Sequence, residues 1–180
     1  MSELLKDPNT GKYFVLATLL FFGAIETFAG HIKDSNRTIN DWMAEFGGFV
    51  LLGIASFAGL FGVTYLGAQF FPDAHYSMAD LSLWIAAPLY MFTDDIAQYW
   101  YHRSAHEHNF LWKHHRVHHA AEQMGVMVSF RNSAFYFLFL PNVWIAAIFT
   151  FLGMIPATII GLIVKQLVVA SSHSTFKWVE

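Results

Sequence analysis

Residues 94–119 read DDIAQYWYHRSAHEHNFLWKHHRVHH, and seven of the chain's ten histidines lie in this one stretch. His102 and His106 stand four apart, while His115, His118 and His119 stand at i, i+3 and i+4. On an α-helix each set projects from one face, so each can offer two or three imidazoles to a shared metal. Neutral imidazole is a ligand for iron, zinc, copper and nickel. Asp95, Tyr99, His102 and His106 also follow one another at steps of four, three and four, a single helical stripe. A ligating histidine usually donates its second ring N–H to a carboxylate, which fixes tautomer and orientation. Asp94 or Asp95 is therefore a candidate to hold a ring from behind, and Tyr99 a candidate hydrogen-bonding neighbour.

The composition outside this stretch places it at a membrane. The chain is 56% hydrophobic and 18% aromatic with 13% charged residues, about half the charge of an average soluble domain. The net charge of −3 leaves no footprint for a nucleic-acid partner, and the absence of cysteine excludes disulfides and thiolate metal sites. Five apolar stretches have the length of spans: residues 13–30, 46–71, 81–101, 133–152 and 156–171. The third leaves the bilayer near Asp94 and continues as a helix into water. Gly153 and Pro156 break the last apolar run into a tight hairpin, and Pro141 kinks its first arm. Small-residue pairs Ala55/Gly59 and Ala58/Gly62 allow close helix approach. Glu26, near the end of the first stretch, is expected at the interface or facing other helices, the interface being the less costly place for a charge.

These assignments predict an all-α, multi-pass membrane protein of four to five spans, with a cytosolic helical cap carrying the histidines. One side of the membrane receives Lys33, Arg37, Arg103, Lys113, Arg116, Arg131 and Lys177, the other only Lys6 and Lys12. That asymmetry puts the histidine face in the cytosol. His31 and His75 are read as surface residues, and His108 and His114 as surface residues or hydrogen-bonding neighbours of the cluster.

The segment resembles the fatty acid hydroxylase/sterol desaturase superfamily of membrane di-metal oxygenases. The resemblance rests on Asp95, Tyr99–Trp100, His102–Arg103, His106, Leu111–Trp112, His115 and His118–His119, and continues through Glu122 and Arg131. Gly125 departs from it, standing where relatives often carry a polar residue. SSHSTF around His173 is similar to the single histidine the family places after its last span, giving six expected ligands: His102, His106, His115, His118, His119 and His173. The resemblance implies two iron ions, with zinc a possible substitute, and O2 as co-substrate. It implies oxidation of a C–H bond in a lipid from the bilayer: a fatty acyl chain, ether lipid, sterol or carotenoid. An external electron donor (a reductase, ferredoxin or cytochrome b5-like protein) is expected, since no haem, flavin or iron–sulfur motif is present. The family also implies a third box, H-x-x-H-H, some tens of residues later. The chain ends at Glu180 without it, so residues 1–180 are expected to be one membrane domain, C-terminally incomplete. HRSAH shares its spacing with zinc proteases, but Arg103 stands where their general-base glutamate belongs. A structural zinc site or a non-catalytic membrane protein is the alternative.

Overall fold

A computed structural model describes residues 10–30, 32–33 and 36–174. His31, Lys6 and Lys177, all used in the sequence reading, lie outside these residues. Seven α-helices follow in order: α1 (Thr10–Phe28), α2 (Ile39–Phe70), α3 (Leu83–Glu107), α4 (Asn109–His119), α5 (Ala134–Leu138), α6 (Pro141–Phe151) and α7 (Ile155–His173). Short 310 turns occupy Pro72–Ala74 and Val126–Phe130, and among the described residues there is no strand.

Among the described residues, three segments are long and apolar enough to cross a bilayer: α2, the α5–α6 stretch Ala134–Phe151, and α7. The chain is a helical membrane protein. The apolar part of α1, Tyr13–Phe28, is shorter than a full span. α3 is a long helix that carries Asp94 and Asp95 at its middle and ends in the histidines, as its periodicity predicts; it has the length of a span, but its charged and polar second half leaves it short of a span's hydropathy.

Two helix ends differ from the sequence reading for identifiable reasons. α2 starts at Ile39, seven residues before the apolar run, because Thr38 caps it. The Thr38 hydroxyl accepts the Asp41 N–H, and Asp41 accepts the Thr38 N–H in return. Pro141 breaks the fourth apolar stretch instead of kinking it. Its ring suits the first turn of α6, so α5 ends at Leu138 and Leu140 joins the two helices in an extended conformation. The α6–α7 hairpin closes as predicted, with Gly153 at φ +92°, a value that glycine adopts freely.

The core lies between α3, α6 and α7, where Ala86, Tyr90, Phe149, Met154 and Ala157 are buried together. Of the small-residue pairs, the first takes part in packing. Gly59 faces Val143 of α6 so closely that a Cβ would sit 2.8 Å from its methyl, and Ala55 packs on the cluster holding Val143. The second faces outward: Ala58 is exposed and nothing approaches Gly62. Glu26 is buried, and its carboxylate accepts the Val126 N–H at 2.9 Å. That bond ties α1 to the segment that follows the second histidine group, so Glu26 faces the protein interior.

Candidate metal centre

α3 and α4 meet at a hinge of one residue, His108, whose extended backbone ends one helix and begins the next. The bend folds the two histidine groups onto each other. His102, His106, His119 and His115 form a quadrilateral, with adjacent ring centroids 4.8, 4.7, 4.8 and 4.6 Å apart in that order. Their Nε2 atoms face inward: 3.2 Å from His102 to His106, 3.1 Å from His106 to His119, and 3.1 Å from His119 to His115.

These distances fit a coordination polyhedron better than a hydrogen-bond network. With bonds of about 2.1 Å, neighbouring ligand nitrogens stand about 3.0 Å apart at right angles and about 3.4 Å apart at tetrahedral angles. By contrast, His119 Nε2 faces two ring nitrogens and can carry at most one proton to share. The four Nε2 atoms lie within 4.8 Å of one another. This upper bound exceeds twice such a bond, so one ion would engage all four only after a small ring shift.

A second pair adjoins the quadrilateral. His173, at the end of α7, brings its Nε2 to 3.3 Å from that of His118. The His118 ring stacks on His115 at 5.4 Å, making the six rings one continuous cluster. The six histidines singled out in the sequence all meet here.

The rings are oriented from outside. His115 is buried, and its Nδ1–H donates to Asn132 Oδ1 at 3.2 Å, which leaves the Nε2 lone pair pointing into the cluster. His173 Nδ1–H donates to the Val169 carbonyl at 2.9 Å with the same result. Tyr136 stacks on His115 at 4.6 Å, and Tyr136 is itself held by Tyr101, whose hydroxyl donates to its carbonyl. Trp112 walls the open side, 5.4 Å from His106 and 5.6 Å from His119, both of which are exposed. Burial pulls the His115 imidazole down to about 3 and His118 to about 4, and it lowers His102 and His119 as well. Neighbouring imidazoles push all four in the same direction. All four are therefore neutral near pH 7, the form that binds metal.

The predicted partners on α3 sit elsewhere. Asp94 is buried and paired with Lys165 of α7. Asp95 is exposed, and Tyr99 points outward, its hydroxyl accepting from Arg103 at 3.1 Å. The exposed His108 serves as the hinge, and the His114 ring stacks on Phe135 at 4.2 Å. His75 packs on Phe151, beside the hairpin at the opposite end of α7 from His173. Asn132, Tyr136 and Lys165 were missed, and no periodicity marks them.

Arg131 ties the end of α4 to the start of α2. Its Nε–H donates to the Val117 carbonyl at 3.1 Å and its Nη1–H to Asp41 at 2.7 Å. Gly125 has a steric reason: a Cβ there would come within 2.2 Å of the Arg37 guanidinium, which donates to the Met124 carbonyl and pairs with buried Glu45.

The fatty acid hydroxylase family model matches residues 87–180, just over half of the chain and the part that contains every one of these histidines. The chain belongs to the fatty acid hydroxylase family. It is also 46% identical over 39 residues to the alkylglycerol monooxygenase of Danio rerio, a match covering 22% of this chain and 9% of that protein. No solved structure matches. The donor set agrees with membership: six imidazoles and no thiolate, with at least two rings held in the metal-binding tautomer.

Proposed function

We propose that this chain carries the metal centre of a membrane lipid oxygenase. Two iron ions, an external electron donor and O2 would together oxidise a C–H bond of a lipid. One observation carries the reading: six imidazoles from three helices converge where apolar helices of bilayer length end. Bound iron would supply the activation of O2. The quadrilateral His102, His106, His115 and His119, with the His118–His173 pair beside it, would hold the ions. Asn132 and the Val169 carbonyl fix the direction of the lone pairs. Tyr136 restricts water on the buried His115 side of the cluster, which would protect a reactive oxidant from quenching there.

The position at the end of membrane helices gives an acyl chain, ether lipid, sterol or carotenoid a route from the bilayer. The name of the zebrafish relative favours an ether-linked glycerolipid among these. The charge asymmetry of the loops supports a cytosolic histidine face, where a soluble or membrane-bound reductase can dock.

The test is turnover. The protein in lipid nanodiscs, loaded with ferrous iron and given a reductant and 18O2, is offered alkylglycerols, fatty acids and sterols. Gain of a labelled oxygen atom, or loss of two hydrogens, is the expected product signature in mass spectra. Iron-loaded protein that consumes no O2 with any of these lipids would overturn the reading.

A further inference from the structure

In the Asp94–Lys165 pair Asp94 is buried and Lys165 partly so, with side chains 3% and 19% exposed, and no hydrogen bond joins the pair to a histidine. It is one rung of a ladder between two helices that run side by side in the same direction. Each rung joins a residue of α3 to the residue 71 positions later on α7. Ala86 and Ala157 share one buried cluster. The Tyr90 ring lies over Gly161, where a Cβ would come within 2.1 Å of it. Asp94 meets Lys165. Two turns higher, His173 is near enough to His102 to act on its charge, and it faces His118 at 3.3 Å.

Apart from the Tyr90–Gly161 notch and the packing of Ala170 on Phe22 and Val126, α7 has little that is directional to keep this register. Its sequence, IPATIIGLIVKQLVVASSH, holds one lysine in an almost wholly apolar helix. Apolar contact is non-directional. A slip of one residue turns a helix by about 100° and moves it by about 1.5 Å, which would carry the His173 ring away from His118. A buried ion pair tolerates no such slip, because a lone buried charge is far more costly than the pair. His118 sits on α4 and is anchored by the α3–α4 hinge. His173 has only α7 to place it.

We propose that Asp94 and Lys165 are positioning residues: their ion pair sets the register of α7 on α3 that delivers His173 to His118. They complete the metal centre from about 12 Å below it, eight residues down each helix. The proposal rests on the reading of the histidines as metal ligands.

The experiment uses the whole chain in detergent with zinc as the probe, titrated against a chelator. Single replacements risk misfolding, so the main variant is the apolar pair Asp94→Leu with Lys165→Met. Helix content and thermal midpoint are expected to stay near wild type. The zinc held by His118 and His173 should weaken by about tenfold or more, matching His173→Ala. The exchanged pair Asp94→Lys with Lys165→Asp should restore it. Wild-type zinc affinity in a folded apolar variant would overturn the proposal, and would mean that the Tyr90–Gly161 notch sets the register unaided. A second readout is independent of metal. The chain has no cysteine, so Gln98→Cys with Val169→Cys, the next rung up, reports register by oxidative crosslinking. Crosslinking should be efficient beside the native ion pair and fall in the apolar variant; an unchanged yield would overturn the proposal. If the wild-type chain binds no zinc, the metal-centre reading fails, while the crosslink still decides the register.

Discussion

The two parts of the histidine cluster are built in different ways. The quadrilateral of His102, His106, His115 and His119 comes from 18 consecutive residues, folded by a single hinge. The His118–His173 pair joins residues 55 apart and depends on how one membrane helix is seated on another. The first is a local object, assembled wherever α3 and α4 form. The second is a property of the whole bundle. The difference predicts that damage to the quadrilateral acts directly on metal, whereas the pair is sensitive to changes far from any ligand.

The largest expected effect is from His115→Ala. It removes a buried ligand and a ring that stacks on His118 and Tyr136, so metal per chain should fall to background. His173→Ala should lose only the ion shared with His118, and metal analysis of the two variants separates the halves. Asn132→Ala comes next. It frees the His115 ring to turn, and metal affinity should drop by about 10- to 100-fold, the usual loss when a ring's outer partner is removed.

Acid should then discriminate folded from unfolded metal-free protein. His115 and His118 titrate at about 3 and 4 in the fold against an ordinary 6.5. The unfolded chain therefore takes up protons first, and stability present above about pH 6.5 is lost as pH falls toward 4. Thermal midpoints of chelator-treated protein should decline between pH 7 and pH 5. Zinc-loaded protein should start higher and decline more steeply, because zinc needs neutral rings and is released as they protonate. The smallest effect belongs to Asp95→Asn. Asp95 is exposed, so affinity should stay within roughly twofold of wild type; a loss as large as that of Asn132→Ala would show that Asp95 does reach a ligand.

The sequence exposed the local half of this design. Steps of three and four residues put His102 and His106 on one face of α3, and His115 and His119 on one face of α4, and the helices fold them together. The same reasoning erred by one position on the stripe below. Its stripe ran through Asp95 and Tyr99, both exposed; Asp94, the other candidate it named, is on the row of buried Tyr90 and half-buried His102 but faces Lys165 and not a ring. The step of three between Tyr99 and His102 hid that slip. His173 was reached through the predicted topology, which brings the end of the last span to the histidine side, together with the family resemblance; a single histidine after an apolar helix has no pattern of its own. Asn132 lies 17 residues from the ring it holds and Lys165 lies 71 from Asp94. Contacts at such separations follow from tertiary packing and leave no periodic trace. The capping box at Thr38 and Asp41 was present in the sequence, but lay outside the apolar run used to draw α2.

α2 contains 32 residues, about 48 Å of helix against a hydrocarbon core of about 30 Å. It therefore stands proud of the lipid, even when tilted. Its protruding end carries Asp41 and Glu45, which grip Arg131 and Arg37, and those arginines hold the end of α4 and the chain at Met124. In an oxygenase of the kind proposed, the helix would act as a depth gauge, its length setting how high above the acyl chains the imidazoles stand. In the proposed oxygenase, a lipid tethered by its headgroup would present one carbon, and not its neighbours, at that height.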